Sequence, residues 1–151
     1  PLLSKDALTV ITQRIPRHTQ HISRLLIDDA KITDEDDLSL LQEMEKAETE
    51  FFINPENTLF SWDTKDIADL FGMQGFSVQY KTITLTEKRR ISQVDIEKWF
   101  NTTQSSYGKH LVQALGEEAV DKIKAMLLNA SEKMLFNWKS ENAFFTCRFD
   151  K

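Results

Sequence analysis

The residues best suited to chemistry are concentrated in one short stretch, PRHTQH at positions 16–21. It contains two of the chain's three histidines, His18 and His21. Three arginines lie in or beside it: Arg14, Arg17 and Arg24. Imidazole and guanidinium groups grouped in this way can exchange protons or bind an anion. The stretch is therefore the first candidate for a site.

A strand and a helix would position this stretch. Residues 8–13 carry apolar side chains on both alternating faces, which predicts a buried strand. Pro16 disfavours helix at Ile15 and is itself tolerated in a first helical turn. The apolar residues that follow have the spacing of one helix face: Ile22, Leu25 and Leu26. PRHTQH thus lies between the carboxyl end of a strand and the start of a helix.

Two interpretations of the turn stay open. α/β folds often bind ligands at the carboxyl ends of strands, and helix N-termini attract anions, so the turn could hold an anion. Its roles could instead be structural, with Pro16 setting the turn and Arg17 pairing with a carboxylate. In that case His18 or Thr19 would satisfy free backbone N–H groups at the helix start.

Length, charge and cysteine content restrict the class of protein. A chain of 151 residues can bury one core, so we expect a single domain over residues 1–151. Nineteen basic against 24 acidic residues give a net charge of −5, which is not that of a general nucleic-acid binder but leaves room for a local basic patch. The single cysteine, and the lack of a signal peptide or membrane-length apolar run, indicate a cytoplasmic location. The abrupt start on PLLSKDALTV suggests a fragment of a longer protein.

A long helix is predicted from about Asp34 to Phe52, with Thr33 as its N-cap and Pro55 beyond its end. Four glutamates on this helix raise the question of a metal or acid–base site: Glu43, Glu45, Glu48 and Glu50. Because no histidine joins them three or four positions away, we interpret them as a solvated helix face.

A second helix is predicted to begin at Asp63 and to stop at Gly72 or Gly75. Its buried stripe would consist of Ile67, Leu70 and Phe71. A strand follows from Phe76 through Ile83 and Leu85. The GMQG segment between them has the GxxG form of an RNA-clamping loop, but it leads from a helix into a strand rather than joining two helices, so we do not assign it that role.

The second half is predicted to be mostly helical. Lys88, Arg89 and Arg90 form the densest basic run, which we interpret as a solvated loop, with a phosphate contact as the alternative. Ser92 and Asp95 open a helix, and two amphipathic segments follow, SSYGKHLVQALG and EEAVDKIKAMLLNASEKMLFNW. Residues 143–149 alternate as a short final strand. Three strands separated by helices predict an α/β fold.

Motifs for nucleotide, dinucleotide and zinc binding are missing from the sequence: it contains no GxxxxGK[ST], GxGxxG, HExxH or paired cysteines. Cys147 could in principle pair with one of the histidines, His18, His21 or His110. Its place in an alternating apolar strand instead predicts a buried cysteine that behaves as a small hydrophobic residue. We therefore predict no catalytic, cofactor-binding or metal-binding residues in this chain.

Four segments carry a resemblance to a known family: LLSKDALTVITQRIPRHTQHISRLL, LFSWDTKDIADLFGMQGFSVQ, ISQVDIEKWF and NWKSENAFFTCRF. Together they cover nearly the whole chain, and PRHTQ and the W-D pair are the most specific parts. They resemble the extreme C-terminal region of long AAA+ ATPases of the replication-associated recombination class (RarA, also called MgsA), typical of cyanobacteria. The strand and helix pattern also resembles the C-terminal half of a class I S-adenosylmethionine-dependent methyltransferase-like fold.

The resemblance implies a small, helix-rich α/β domain with five to seven helices over a three-stranded mixed sheet. Its strand order would be first, terminal, middle, with the terminal strand antiparallel between the other two. It also implies a parent ATPase that binds ATP and works at stalled or damaged replication forks. Neither the Walker motifs nor the methyltransferase cofactor loop belongs to this part of such proteins, so no cofactor is expected in this chain.

The resulting expectation is a non-catalytic accessory or interaction domain of a replication-repair ATPase, whose partners are the rest of the parent, replication-fork proteins or DNA, or a second copy paired at an open sheet edge. The alternative is an enzyme: the substrate-side half of a methyltransferase that uses residues such as Arg14, Arg17 and His18. A direct anion, DNA or partner contact is a further hypothesis. The residues for it are Arg14, Arg17, His18, His21, Arg24, Lys88, Arg89 and Arg90.

Overall fold

A computed structural model describes residues 8–149 of the chain. The strands are β1 (Leu8–Arg14), β2 (Phe76–Arg89) and β3 (Phe136–Phe149). A short 3-10 turn, Pro16–His18, follows β1. The helices are α1 (Ile22–Arg24, continuing as a π-helical turn over Leu25–Asp29), α2 (Glu35–Ile53), α3 (Thr64–Met73), α4 (Gln93–Trp99), α5 (Ser106–Leu115) and α6 (Glu117–Lys133). The first segment quoted for the resemblance starts outside the described residues.

The sheet has the order β1-β3-β2. The predicted α/β class, strand order and antiparallel terminal strand are therefore confirmed, and the six helices within residues 8–149 fall within the expected number. Both neighbouring pairs are antiparallel, so the sheet is antiparallel throughout and not mixed as expected, because β1 and β2 pair only with β3 and not with each other. None of the helices within residues 8–149 combines the length and the apolar character needed to cross a membrane.

β3 contributes to two cores, on opposite faces. Phe136 and Trp138 pack into a large cluster formed mainly by the helices. Five residues further on, Ala143, Phe145 and Cys147 pack into a smaller cluster with Ile15 and side chains near and within α3. Because successive side chains alternate between faces, the buried face of β3 changes between residues 140 and 143. One long strand thus joins two parts of the molecule. We call the part around Phe136 and Trp138, with the large helical cluster, the helical half, and the part around Ala143, Phe145 and Cys147, with α3 and the smaller cluster, the sheet half.

The predicted helix starts are largely correct. Asp63 and Asp66 form a reciprocal capping box on α3, and Ser92 and Asp95 form one on α4. α2 ends at Ile53, as expected within a residue, but its N-cap is Asp34 rather than Thr33.

Several boundary and burial predictions were wrong. β1 is not a buried strand, because it lies at the sheet edge and leaves Leu8 57% and Val10 64% exposed. Leu70 also projects into solvent from α3. The basic run is not a loop, since β2 continues to Arg89. The last helix stops at Lys133 and the terminal strand begins at Phe136, because residues of the expected helix end pair with β2 instead.

Candidate functional site

The PRHTQH turn ends at a buried carboxylate. The backbone N–H groups of Ile22 and Ser23, the first two residues of α1, donate to the two oxygens of Glu48 at 2.7 and 3.2 Å. The Ser23 hydroxyl also donates to Glu48. The Tyr107 hydroxyl donates to Glu48 Oε1 at 2.7 Å. Glu48 is fully inaccessible to solvent, so α2 provides the buried carboxyl group that caps α1.

Burial raises the pKa values of Glu48 and Tyr107 in this cluster. Loss of water around Glu48 raises its pKa, and the hydrogen bonds from Ser23, Tyr107 and Ile22, with the nearby His21, offset only part of that rise. Burial beside Glu48 also raises the pKa of Tyr107 well above its ordinary value. The prediction of a solvated glutamate face was therefore wrong for Glu48, because the helix N-terminus and two hydroxyls of its neighbours satisfy it inside the protein. An external anion would have to displace Glu48 to reach these N–H groups.

Arg17 connects the turn to the start of α3. Its Nε donates to the Ser61 carbonyl oxygen at 2.6 Å, and its Nη1 donates to Asp63 Oδ2 at 2.6 Å. A longer ion pair of 3.6 Å joins it to Asp66. Arg17 thus has the carboxylate partner that the structural interpretation of the turn required, and this carboxylate is the N-cap of α3.

The three histidines do not converge on Cys147. His18 lies 3.1 Å from a Glu141 oxygen through Nδ1, and the His21 ring stacks on Phe52. His110 Nε2 lies 2.9 Å from the Ala47 carbonyl oxygen. Cys147 is a free thiol in the small sheet-half core, where burial raises its pKa and so disfavours the nucleophilic thiolate.

A shallow cleft of about 500 Å³ does bring Arg17, His18, His21 and Arg24 together, with Lys139 from β3 added. Asp28 and Glu141 also line it. Arg24 pairs with Glu45 at 2.7 Å, and His18 and Arg17 have the partners described above. Three of its basic side chains, Arg17, His18 and Arg24, are therefore already matched by carboxylates.

The basic run lies at the far end of β2 and its side chains diverge. Lys88 is opposite Asn137 in the sheet, whereas Arg14 is opposite Asn142, about 17 Å along β3. The Arg89 guanidinium stacks 4.5 Å from the centre of the Trp138 ring. Arg90 donates a long bond of 3.5 Å to the Ser131 carbonyl oxygen. The structure therefore does not combine this run and Arg14 into one patch.

A different surface was missed by the sequence analysis: the outer face of the sheet half, which we call the open face. Its described residues lie in four rows across β1, β3 and β2: Leu8, Arg148, Ser77; Val10, Thr146, Gln79; Thr12, Phe144, Lys81; and Arg14, Asn142, Ile83. Phe144 is 39% exposed at its middle. The alternation of side chains in the sequence indicated each strand separately. Only the register of the three strands shows which side chains share this face.

Comparison with known proteins gives no family for this chain: no protein-family model matches it, and a search of curated proteins found no match. Within residues 8–149, no group of three or more histidine, cysteine, aspartate or glutamate side chains is placed to hold a metal ion.

Proposed function

We propose that this chain is a non-catalytic accessory and interaction domain at the C-terminus of an AAA+ ATPase of the replication-associated recombination and DNA-repair class. The open face is the observation that best supports an interaction role. It presents apolar and cationic side chains to solvent, as binding surfaces do, whereas the charged groups of the PRHTQH turn are held by internal partners. The class of the parent comes from the sequence resemblance.

In this proposal the chemistry, including ATP binding, belongs to the parent protein. The partners of the domain are the rest of that ATPase and, through it, replication-fork proteins or DNA. The proposed location is the cytoplasm, in keeping with a single cysteine that is buried and unpaired.

The test uses the full-length protein and a version that lacks this domain. We expect both to hydrolyse ATP at similar basal rates, and the shortened version to lose much of its stimulation by forked DNA. A full-length protein without ATPase activity, or a shortened version whose response to forked DNA is unchanged, would contradict the proposal.

The alternative, a substrate-side half of an S-adenosylmethionine-dependent methyltransferase, is favoured by one observation. The strand order, with the terminal strand antiparallel between the other two, is the order that such a resemblance implies. Calorimetry of the full-length protein with S-adenosylmethionine separates the two. Micromolar binding, together with methyl transfer that is lost in Arg17→Ala or His18→Ala, would establish the alternative in place of the accessory domain.

A further inference from the structure

We propose that the open face binds single-stranded DNA, with bases stacking on Phe144 and phosphates contacting Arg14, Lys81 and Arg148. The choice of DNA rests on the proposed function, whereas the choice of a single-stranded polyanion rests on the residues of the face itself.

The open face carries positive charge on an acidic protein. The chain has a net charge of −5, yet the described residues of the open face include three cations and no carboxylate. None of these three cations forms an ion pair with another residue in the part of the chain that the structure describes. This differs from the PRHTQH cleft, where arginines meet carboxylates. A face that carries cations and no carboxylates, on an otherwise acidic protein, is better matched to a polyanion than to a polypeptide surface of mixed charge.

Geometry is the second argument. Phe144 lies on the central strand, and its row places Thr12 on one side and Lys81 on the other. Arg148 and Asn142 mark the two ends of the central strand's part of the face, and five intervening residues place them about 20 Å apart. An exposed aromatic ring on a sheet, flanked by cations, is the arrangement that stacks unpaired bases while holding their phosphates.

The neighbouring side chains favour a single strand over a duplex. Phe144 can stack only on a base whose face is free, and a duplex hides those faces. Thr146 and Asn142 lie two residues on either side of Phe144 in β3, and Gln79 lies opposite Thr146. Thr146 and Gln79 offer donors and acceptors for base edges, and the Asn142 amide oxygen offers an acceptor while its nitrogen donates to Ser140. Leu8 and Val10 add an apolar border along β1, at the edge of the sheet.

The experiment measures fluorescence anisotropy of labelled oligodeoxythymidine with this chain over a range of salt concentrations. We expect binding at low salt that weakens as salt is added. Phe144→Ala should weaken binding about five-fold or more, which is the usual effect of losing one stacked base. Lys81→Gln combined with Arg148→Gln should lower the slope of log K against log salt by about 0.7 for each phosphate contact removed.

Matched controls are available on the same sheet. Tyr80→Ala removes an exposed aromatic ring that shares the face of Phe145, opposite to Phe144. Lys88→Gln with Arg90→Gln removes two exposed cations near the far end of β2, away from the open face. Both controls should bind the oligonucleotide as tightly as the wild-type chain does. Circular dichroism melts should show that every variant folds.

Several results would overturn the inference: no binding at low salt, equal binding of duplex, preference for oligouridine, or larger losses in the control variants than in the open-face variants. Burial of the face by a second copy, seen as a dimer that Phe144→Ala dissociates, would also overturn it. None of these results affects ATP hydrolysis by the parent protein. Conversely, a parent without ATPase activity would remove the proposed function and leave DNA binding by this face measurable.

Discussion

The two halves of β3 differ in how they are buried. From Phe136 to Ser140 one face of the strand lies against a large helical core. From Ala143 to Cys147 the other face is covered by the small cluster near α3, and the remaining face is open. One strand can therefore contribute buried side chains to a core at both ends and leave its second face exposed at only one of them.

The largest effect should come from neighbouring phenylalanines on opposite faces of the sheet half. Phe145→Ala removes a fully buried ring from the small core and should lower the free energy of unfolding by about 4 kcal/mol. Phe144→Ala, one residue away on the open face, should change it by less than about 0.5 kcal/mol. Urea denaturation followed by circular dichroism measures both. Equal losses in the two variants would mean that the open face is covered.

A slightly smaller loss is expected in the helical half from Glu48→Ala. It leaves the Ile22 and Ser23 N–H groups and the Tyr107 hydroxyl without their acceptor, at a cost of about 3 kcal/mol. Glu50→Ala, on an exposed part of the same helix, is the matched control and should be nearly neutral. Parallel urea titrations that found similar losses in the two variants would show that Glu48 does not hold α1.

The same carboxylate should give the helical half a pH dependence. Burial raises the pKa of Glu48 in the folded chain above that in the unfolded chain. Between these two values the folded state keeps a proton that the unfolded state has released, so stability falls as pH rises through that window. The free energy of unfolding of the wild-type chain minus that of Glu48→Gln, measured by urea titration from pH 4 to pH 8, should therefore decrease as pH rises. A difference that rises with pH would contradict the raised pKa.

Much of the fold could be predicted from local signals in the sequence. Capping patterns located the starts of α3 and α4, because Asp63 and Ser92 satisfy backbone N–H groups within their own helices. Strand and helix boundaries near β3 could not be read in this way. No glycine or proline separates α6 from β3, and Trp138 follows Met134 at the helical spacing of four residues, so the helical pattern continues past the end of α6. The pairing of Phe136 and Trp138 with β2, more than forty residues earlier in the chain, decides the outcome.

The candidate sites depended still more on long-range contacts. Glu48 lies on the apolar stripe of α2, four residues after Met44 and three and four residues before Phe51 and Phe52, which is a sequence signal for burial. Only the packing of α1 and α5 against it supplies the donors that make it a buried cap. The sequence could not decide whether the PRHTQH turn binds an external anion or pairs with groups of the protein itself. The partners of Arg17 lie more than forty residues away along the chain. The open face likewise requires the register of three strands.

The smallest effect should distinguish the helix caps of the two halves. Ser92→Ala removes the N-cap of α4 in the helical half and should cost about 1 kcal/mol. Asp63→Ala removes the equivalent cap of α3 and, in addition, the partly exposed partner of Arg17, so its cost should exceed that of Ser92→Ala by up to about 1 kcal/mol. Asp63→Asn keeps a good N-cap and loses only the charge. Its whole cost should therefore equal the extra cost of Asp63→Ala over Ser92→Ala, and this cost should decrease as salt is added. Thermal melts of the three variants at low and high salt measure this. If Asp63→Asn matched the wild-type chain at low salt, the charge of Asp63 would contribute nothing to holding α3 over the sheet half. The Arg17 bond to the Ser61 carbonyl oxygen and the small core would then keep that helix in place.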